Sequence, residues 1–190
     1  MNRLETWFCA TTFWSNVTRE RLLPRLLDGQ DFGTRVLELG AGSGAATPEL
    51  LRRFPSVTSL EYSAAGPRKM PAIPSQVRTA RMVRGDAAQL PFADGSFTCA
   101  IAILMLHHLH SPELQDSAFA EIRRVLQPRG IFLAFEIRDG WLQRLIHTHS
   151  TFVPVNASTV NARLNAAGFA RASVDFMRGA FLLRARRAAD

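Results

Sequence analysis

Two hydrophobic rhythms alternate along the chain. Short, largely apolar runs of strand length stand at 36–39, 57–61, 82–83, 98–106, 131–136, 172–177 and 180–185. Between them, apolar residues recur three and four apart. Leu22, Leu23, Leu26 and Leu27 precede the first run, Leu50, Leu51 and Phe54 follow it, and 113–126 and 158–167 lie further on. A period near two predicts strands and a period near 3.6 predicts helices. Strands alternating with helices predict an α/β fold around a mainly parallel sheet. The stretch 98–106 is apolar throughout, as expected of a central strand buried on both faces. The last two runs flank Arg178-Gly179 and predict a closing hairpin. Ser158 is the expected N-cap of a helix reaching residue 167, with Gly168 just past its end. Pro24 is expected in a first helical turn or at a kink. The stretch 67–75 carries three prolines and predicts a poor helix.

The chain has 190 residues, 47% hydrophobic and 21% charged, which suits one globular domain. We expect a single domain over 1–190, with 1–34 an N-terminal helical arm or lid and 35–190 the core. No apolar run approaches the length of a membrane span, and no signal-peptide pattern opens the sequence. Cys9 and Cys99 give no disulfide framework or metal spacing, so a reducing cytoplasm is the expected compartment. The net charge of +7 invites an anionic partner, nucleic acid or a membrane surface. Against this, the basic residues are 22 Arg and Lys69 alone, mostly scattered, which reads as compositional bias.

The chemistry gathers at Val36-Leu37-Glu38-Leu39-Gly40-Ala41-Gly42-Ser43-Gly44. A buried strand runs into three glycines at alternate positions and then into a helix. Such a turn allows positive φ and close approach of a ligand to backbone, and the helix start offers unpaired N–H groups. Gly40 to Ala45 also fits the dinucleotide fingerprint G-x-G-x-x-[GA]. Glu38 separates the two readings. A carboxylate there repels a pyrophosphate and suits a ligand bearing ammonium and sulfonium charges.

This stretch resembles motif I of the class I S-adenosylmethionine (SAM)-dependent methyltransferases, E/D-x-G-x-G-x-G. Two later segments strengthen the resemblance. Gly85-Asp86-Ala87 followed by Leu90-Pro91-Phe92-Ala93-Asp94-Gly95-Ser96-Phe97 is similar to the pattern of the type 11, ubiquinone/menaquinone-type subgroup, and so is Glu121-Ile122-Arg123-Arg124-Val125-Leu126-Gln127-Pro128-Arg129-Gly130. Thr98 departs from the subgroup, which has Asp there in a structural role.

The resemblance implies a Rossmann-like three-layer sandwich with a seven-stranded sheet of order 3-2-1-4-5-7-6, the last strand antiparallel. It implies SAM as cofactor, S-adenosylhomocysteine as product, and a cofactor site drawn from Glu38, Leu39, Gly40, Ala41, Gly42, Glu61, Tyr62, Asp86, Ala87, Leu104 and Met105. Glu61 would take the ribose hydroxyls, Tyr62 would line the adenine, and Asp86 would accept from its amine. Methyl transfer from a sulfonium is an in-line displacement, so positioning supplies much of the rate; a base is needed only for an acceptor whose proton is weakly acidic. His108 and Glu136 are the catalytic candidates. Trp14, His107, His147 and His149 are candidates for substrate binding. No metal is expected, because the adjacent His107 and His108 lack ligand spacing. The expected acceptor is a small, largely apolar molecule with an O, N or C nucleophile. Alternatives are a membrane-peripheral lipid methyltransferase, a nucleic-acid methyltransferase and a non-catalytic SAM-binding protein. The nucleic-acid reading is weakened by the absence of N/D-P-P-F/Y after strand 4, where Leu104-Met105-Leu106-His107 stands. The oligomeric state is not readable.

Overall fold

The computed structural model describes residues 3–29, 31–63 and 79–189. They form α1 (Arg3–Cys9), α2 (Thr12–Val17), α3 (Leu23–Leu26), β1 (Arg35–Leu39), α4 (Thr47–Arg53), β2 (Ser56–Glu61), β3 (Thr79–Arg84), β4 (Phe97–Ile103), α5 (Pro112–Val125), β5 (Leu126–Ile137), α6 (Trp141–Ile146), α7 (Val160–Ala166), β6 (Phe169–Met177) and β7 (Ala180–Arg187). The stretch 67–75, expected to be a poor helix, lies outside the described residues.

The strands make one sheet in the order β3-β2-β1-β4-β5-β7-β6, as the sequence resemblance implied. β1 to β5 pair in parallel, while β7 runs antiparallel to β5 and β6. The period-two alternation of β1 sorts its side chains to two faces. Val36 packs with Leu22, Leu23, Leu26, Leu50 and Leu51 on the side of α3 and α4. Leu37 and Leu39 join Phe119, Ile122 and Leu164 on the side of α5 and α7. Each such fully buried leucine contributes about 1.5–3 kcal/mol of burial. Glu38 falls on the α3/α4 face with Val36, so its carboxylate is carried into the interior by the same alternation.

The parallel crossovers bring the C-terminal tips of β1, β2, β4 and β5 to one edge of the sheet, where ligands bind in open α/β sheets. Local departures from the expected elements have physical causes. Pro24 lacks an N–H and crowds the preceding turn; the helix before it widens to a π-helical turn over Thr18–Leu22, and α3 restarts with Pro24 in its first turn. The last helix starts at Val160 rather than at a Ser158 cap. The Ser158 hydroxyl instead donates to Asn156 Oδ1 at 2.7 Å, and the Asn156 carbonyl accepts the Val160 N–H. Gly168 terminates that helix with φ of 92°, as expected. Thr98, in place of the subgroup's Asp, clasps the start of β1: its hydroxyl accepts the Arg35 N–H at 3.1 Å and donates to the Arg35 carbonyl at 3.0 Å.

The two recognisable late segments turn out to be partners. Arg124 on α5 reaches Glu121 through Nε at 2.7 Å and Nη2 at 2.8 Å, Asp94 at 2.7 Å, and the carbonyls of Phe92 and Leu90 at 2.8 and 3.0 Å. Glu121 also accepts the Leu90 N–H at 2.7 Å. One guanidinium–carboxylate pair therefore pins the loop that follows Asp86 onto α5.

Candidate functional site

The glycine turn is shaped by backbone demands. Gly40 sits at φ 69°, and a Cβ there would lie 2.3 Å from Met105 Cγ. Its N–H and that of Ala41 donate to the Leu60 carbonyl. Gly42, at φ 54°, donates its N–H to Glu61 Oε2 at 2.8 Å, and Glu61 Oε1 accepts the Ser63 N–H at 2.9 Å. Glu61 thus stands at the tip of β2 against the turn. Glu38 is buried beneath the turn, and the hydroxyls of Thr47 and Ser59 both donate to its Oε2, at 2.7 and 2.5 Å. Burial pushes its carboxyl above the usual range; the two hydroxyls work against this and nearby Glu61 adds to it.

A cavity of about 600 Å³ opens above the turn, within the range of small-molecule sites. Its floor is Glu38, Leu39, Gly40, Ala41 and Gly42; the arm contributes Glu5, Trp7, Phe8, Cys9, Trp14 and Thr18; the far wall holds Leu104, His107, His108, Phe135, Gln143 and His147. Beside the cavity, two hydroxyls hold the arm. The Ser43 hydroxyl donates to the Cys9 carbonyl at 2.6 Å, and the Ser150 hydroxyl donates to Glu5. The Thr18 hydroxyl is fully buried at the cavity with no hydrogen-bond partner among the described residues. It belongs to the π-helical turn, a local irregularity that often marks function.

The far wall is built on the end of β5. Glu136 is wholly buried, with Oε1 accepting the N–H groups of Met105 and Leu106 at 3.0 and 2.8 Å and Oε2 lying 2.6 Å from His107 Nδ1. It does not face the crevice, as its place at a strand tip suggested; three local donors turn it inward, behind His107. His108 Nδ1 lies 3.2 Å from the Thr151 carbonyl and His147 Nδ1 lies 2.7 Å from the Gln143 carbonyl. Burial, then the neighbouring His107, pushes the His108 imidazole down to about 3, so it is neutral at physiological pH.

Of the residues expected in the site, Glu38, Leu39, Gly40, Ala41, Gly42, Leu104, Trp14, His107, His108 and His147 line the cavity. Met105 lies under Gly40 instead. Asp86 accepts the Ala88 N–H at 2.8 Å beyond the tip of β3, with Ala87 buried beside it. Tyr62 is exposed, and these residues and Glu61 stand outside the cavity wall. His149 is exposed at φ 66° and takes no part in the cavity. Sequence reasoning missed Glu5, Thr18, Cys9 and Gln143 in the wall, and the pairing of Glu136 with His107. The Pro24 irregularity was the one available signal for Thr18.

A family model described as a methyltransferase domain matches residues 37–134, just over half of the chain. The chain belongs to this methyltransferase family. Two curated relatives illustrate its range. The chain is 33% identical over 134 residues to a malonyl-(acyl-carrier protein) O-methyltransferase of Halorhodospira halophila, covering 65% of this chain and 44% of the relative. It is 32% identical over 119 residues to a demethylmenaquinone methyltransferase of Corynebacterium kroppenstedtii, covering 63% of this chain and 46% of the relative. The chain spans about half the length of the curated relatives it matches. Its fold matches a crystal structure of a SAM-dependent methyltransferase from Methanosarcina mazei with a TM-score of 0.70 at 18% identity, over 88% of this chain and 98% of the other. No helix among the described residues is long and apolar enough to cross a membrane.

Proposed function

We propose that this methyltransferase moves the methyl group of SAM to an oxygen, nitrogen or carbon nucleophile of a small, largely apolar molecule. The observation that carries this reading is a cavity that joins the glycine turn to a cluster of imidazoles beneath an aromatic arm. Buried Glu38 and Glu5 on its walls favour a cationic sulfonium over a pyrophosphate. Glu61 would receive the ribose hydroxyls and Asp86 the adenine amine, with Gly40 and Gly42 giving backbone access beside the methionine end. Residues 1–34 act as a lid over a single core domain, 35–190, and residues Trp14 and His147 bound the acceptor. His107, held in one orientation by Glu136, is the polar group that meets the acceptor's nucleophile. It replaces His108 and Glu136 in that role, since Glu136 is wholly buried behind His107 and stands outside the cavity wall.

The test has two arms. Calorimetry is expected to detect binding of S-adenosylhomocysteine and none of NADH. A methyl-donor assay against pooled quinones, phenols, amines and phospholipids, with mass spectrometry of the product, is expected to find an apolar acceptor. NADH binding without S-adenosylhomocysteine binding would overturn the reading.

A second reading, a lipid methyltransferase working at a membrane surface, draws on one specific feature. Trp7, Phe13, Trp141 and Leu145 are 65%, 67%, 78% and 63% exposed, on α1, α2 and α6, and α6 buries none of its side chains. Aromatic and aliphatic side chains presented together on short helices suit an interfacial surface. Co-sedimentation with anionic liposomes separates the two readings.

A further inference from the structure

We propose that His107, His108 and His147 form a binding site for a divalent transition-metal cation of the zinc type. The three side chains offer nitrogens that all lie within 4.8 Å of one another. They come from two elements: His107 and His108 from the 3-10 turn Leu106–His108 after β4, and His147 from the end of α6. A sequence scan sees only an adjacent pair and therefore expects no metal; the fold adds the third ligand from 39 residues further along.

The tautomers point the same way. His108 and His147 each set Nδ1 against a backbone carbonyl, which can only accept, so Nδ1 carries the proton. His107 sets Nδ1 against the Glu136 carboxylate, which imposes the same choice. Nε2 is then the ring nitrogen left to act as a ligand in each, and none of these three atoms makes a hydrogen bond to a described residue. Outer partners on Nδ1 that fix the ring and leave Nε2 as a lone-pair donor are the arrangement that supports histidine ligands in metal sites. Tetrahedral zinc with bonds of about 2.0–2.1 Å separates its nitrogens by about 3.3 Å, so each nitrogen has to move inward by less than about 1 Å. Two buried carboxylates compensate the charge: Glu136 behind His107, and Glu5, whose Oε1 lies 3.8 Å from His147 Nε2.

Three histidines leave a coordination position open toward the cavity, the pattern of a catalytic rather than a structural site. With zinc bound, His107 would meet the acceptor through the metal: the open position would take an oxygen or nitrogen of the acceptor and lower the pKa of a bound hydroxyl, whose proton leaves to solvent. This role rests on the methyltransferase reading of the cavity; the binding of metal does not.

The chain is stripped with a chelator and titrated with Zn²⁺ by calorimetry, with metal content measured by mass spectrometry. One zinc per chain is expected. His147→Phe keeps a ring stacked on Phe152, from which His147 now sits 4.4 Å between centroids, and is expected to weaken zinc binding by at least about 100-fold, the upper end of what loss of a mere outer partner costs. The double variant His110→Ala/His149→Ala, which removes the exposed histidines, is expected to bind zinc as wild type does. Circular dichroism checks the fold of each variant. As a measurement that needs no variant, nitrogen NMR of wild type is expected to show three imidazole Nε2 resonances shifting with one equivalent of Zn²⁺ and those of His110 and His149 unmoved. Absence of stoichiometric zinc, unweakened binding by folded His147→Phe, loss in the double variant, or shifts confined to His110 and His149 would each overturn the proposal. Zinc failure with S-adenosylhomocysteine binding intact removes this inference alone, whereas failure of S-adenosylhomocysteine to bind removes the methyltransferase reading and leaves the zinc result standing.

Discussion

Arg124→Met tests whether the two late segments are structural partners. Methionine keeps an unbranched, helix-compatible stem, so the change removes mainly the guanidinium. Five hydrogen bonds go with it. The bond to Asp94 counts for little, because that carboxylate is 78% exposed and exposed pairs contribute about 0–1 kcal/mol. The two-point pair with Glu121 is more sheltered, at 31% and 22% exposure, and the carbonyls of Leu90 and Phe92 lose a charged donor. Together these contribute about 2–4 kcal/mol, since hydrogen bonds to charged groups are worth about 1.5–3 kcal/mol each and do not add fully. For a chain of this length the melting temperature is expected to fall by roughly 4–16 °C, with a matching drop in urea midpoint at unchanged slope. The pH dependence sharpens the test. The hydrogen bond from Arg124 comes first among the influences that hold the Glu121 carboxyl below its usual range. A depressed acid contributes stability that is present above its unfolded pKa and lost as pH falls through its folded one. Wild type should therefore lose stability faster than Arg124→Met as pH drops below about 4.3. Asp94→Asn serves as the control and should cost under about 0.5 kcal/mol. A loss below about 0.5 kcal/mol for Arg124→Met, or an equal loss for Asp94→Asn, refutes the reasoning.

Three further outcomes are expected. Glu61→Ala should weaken S-adenosylhomocysteine by about 1.5–3 kcal/mol, or roughly 10- to 150-fold by calorimetry, because hydrogen bonds to a charged acceptor are lost. Gly40→Ala forces a Cβ onto Met105 at a left-handed backbone position; it should lose at least about 1–2 kcal/mol in urea unfolding, and adding Met105→Ala should restore only the part due to the clash with Met105 Cγ. Deleting residues 1–14 removes Glu5, Trp7, Phe8 and Trp14 from the cavity wall and should raise the acceptor KM far more than it weakens S-adenosylhomocysteine, as measured by steady-state kinetics beside calorimetry.

The sheet was legible because each signal was local. Period-two runs, the glycine turn and the apolar stretch 98–106 each fix an element within a few residues of themselves, whereas the strand order came from the family resemblance. The floor of the site followed for the same reason, since Glu38, Gly40 and Gly42 are placed by β1 and the turn it enters. The far wall was not legible. Glu5 meets Ser150 across 145 positions, and Gln143 and His147 reach the wall only because β5 ends opposite the arm. Helix starts failed where two residues could serve as the first cap: Asn156 took the hydroxyl of Ser158, and the helix began later.

Glu61 and Glu136 show why position along the chain does not settle a side chain's role. Both end a parallel strand at the edge of the sheet where ligands bind, and both satisfy their oxygens with nearby N–H groups. Glu61 finds its donors in the glycine turn and in Ser63, beyond the tip of its own strand. Glu136 finds its donors behind β4. Leu104 takes a left-handed conformation, with φ 53°, and the next two N–H groups turn toward Glu136 Oε1. A non-glycine residue in that conformation is costly, and the cost is offset by satisfying a buried carboxylate that would otherwise have no donors. The same turn places His107 against Glu136 Oε2 and in the cavity wall. One strained residue between β4 and its following turn thus converts a strand-end acid from a ligand contact into the support of an imidazole.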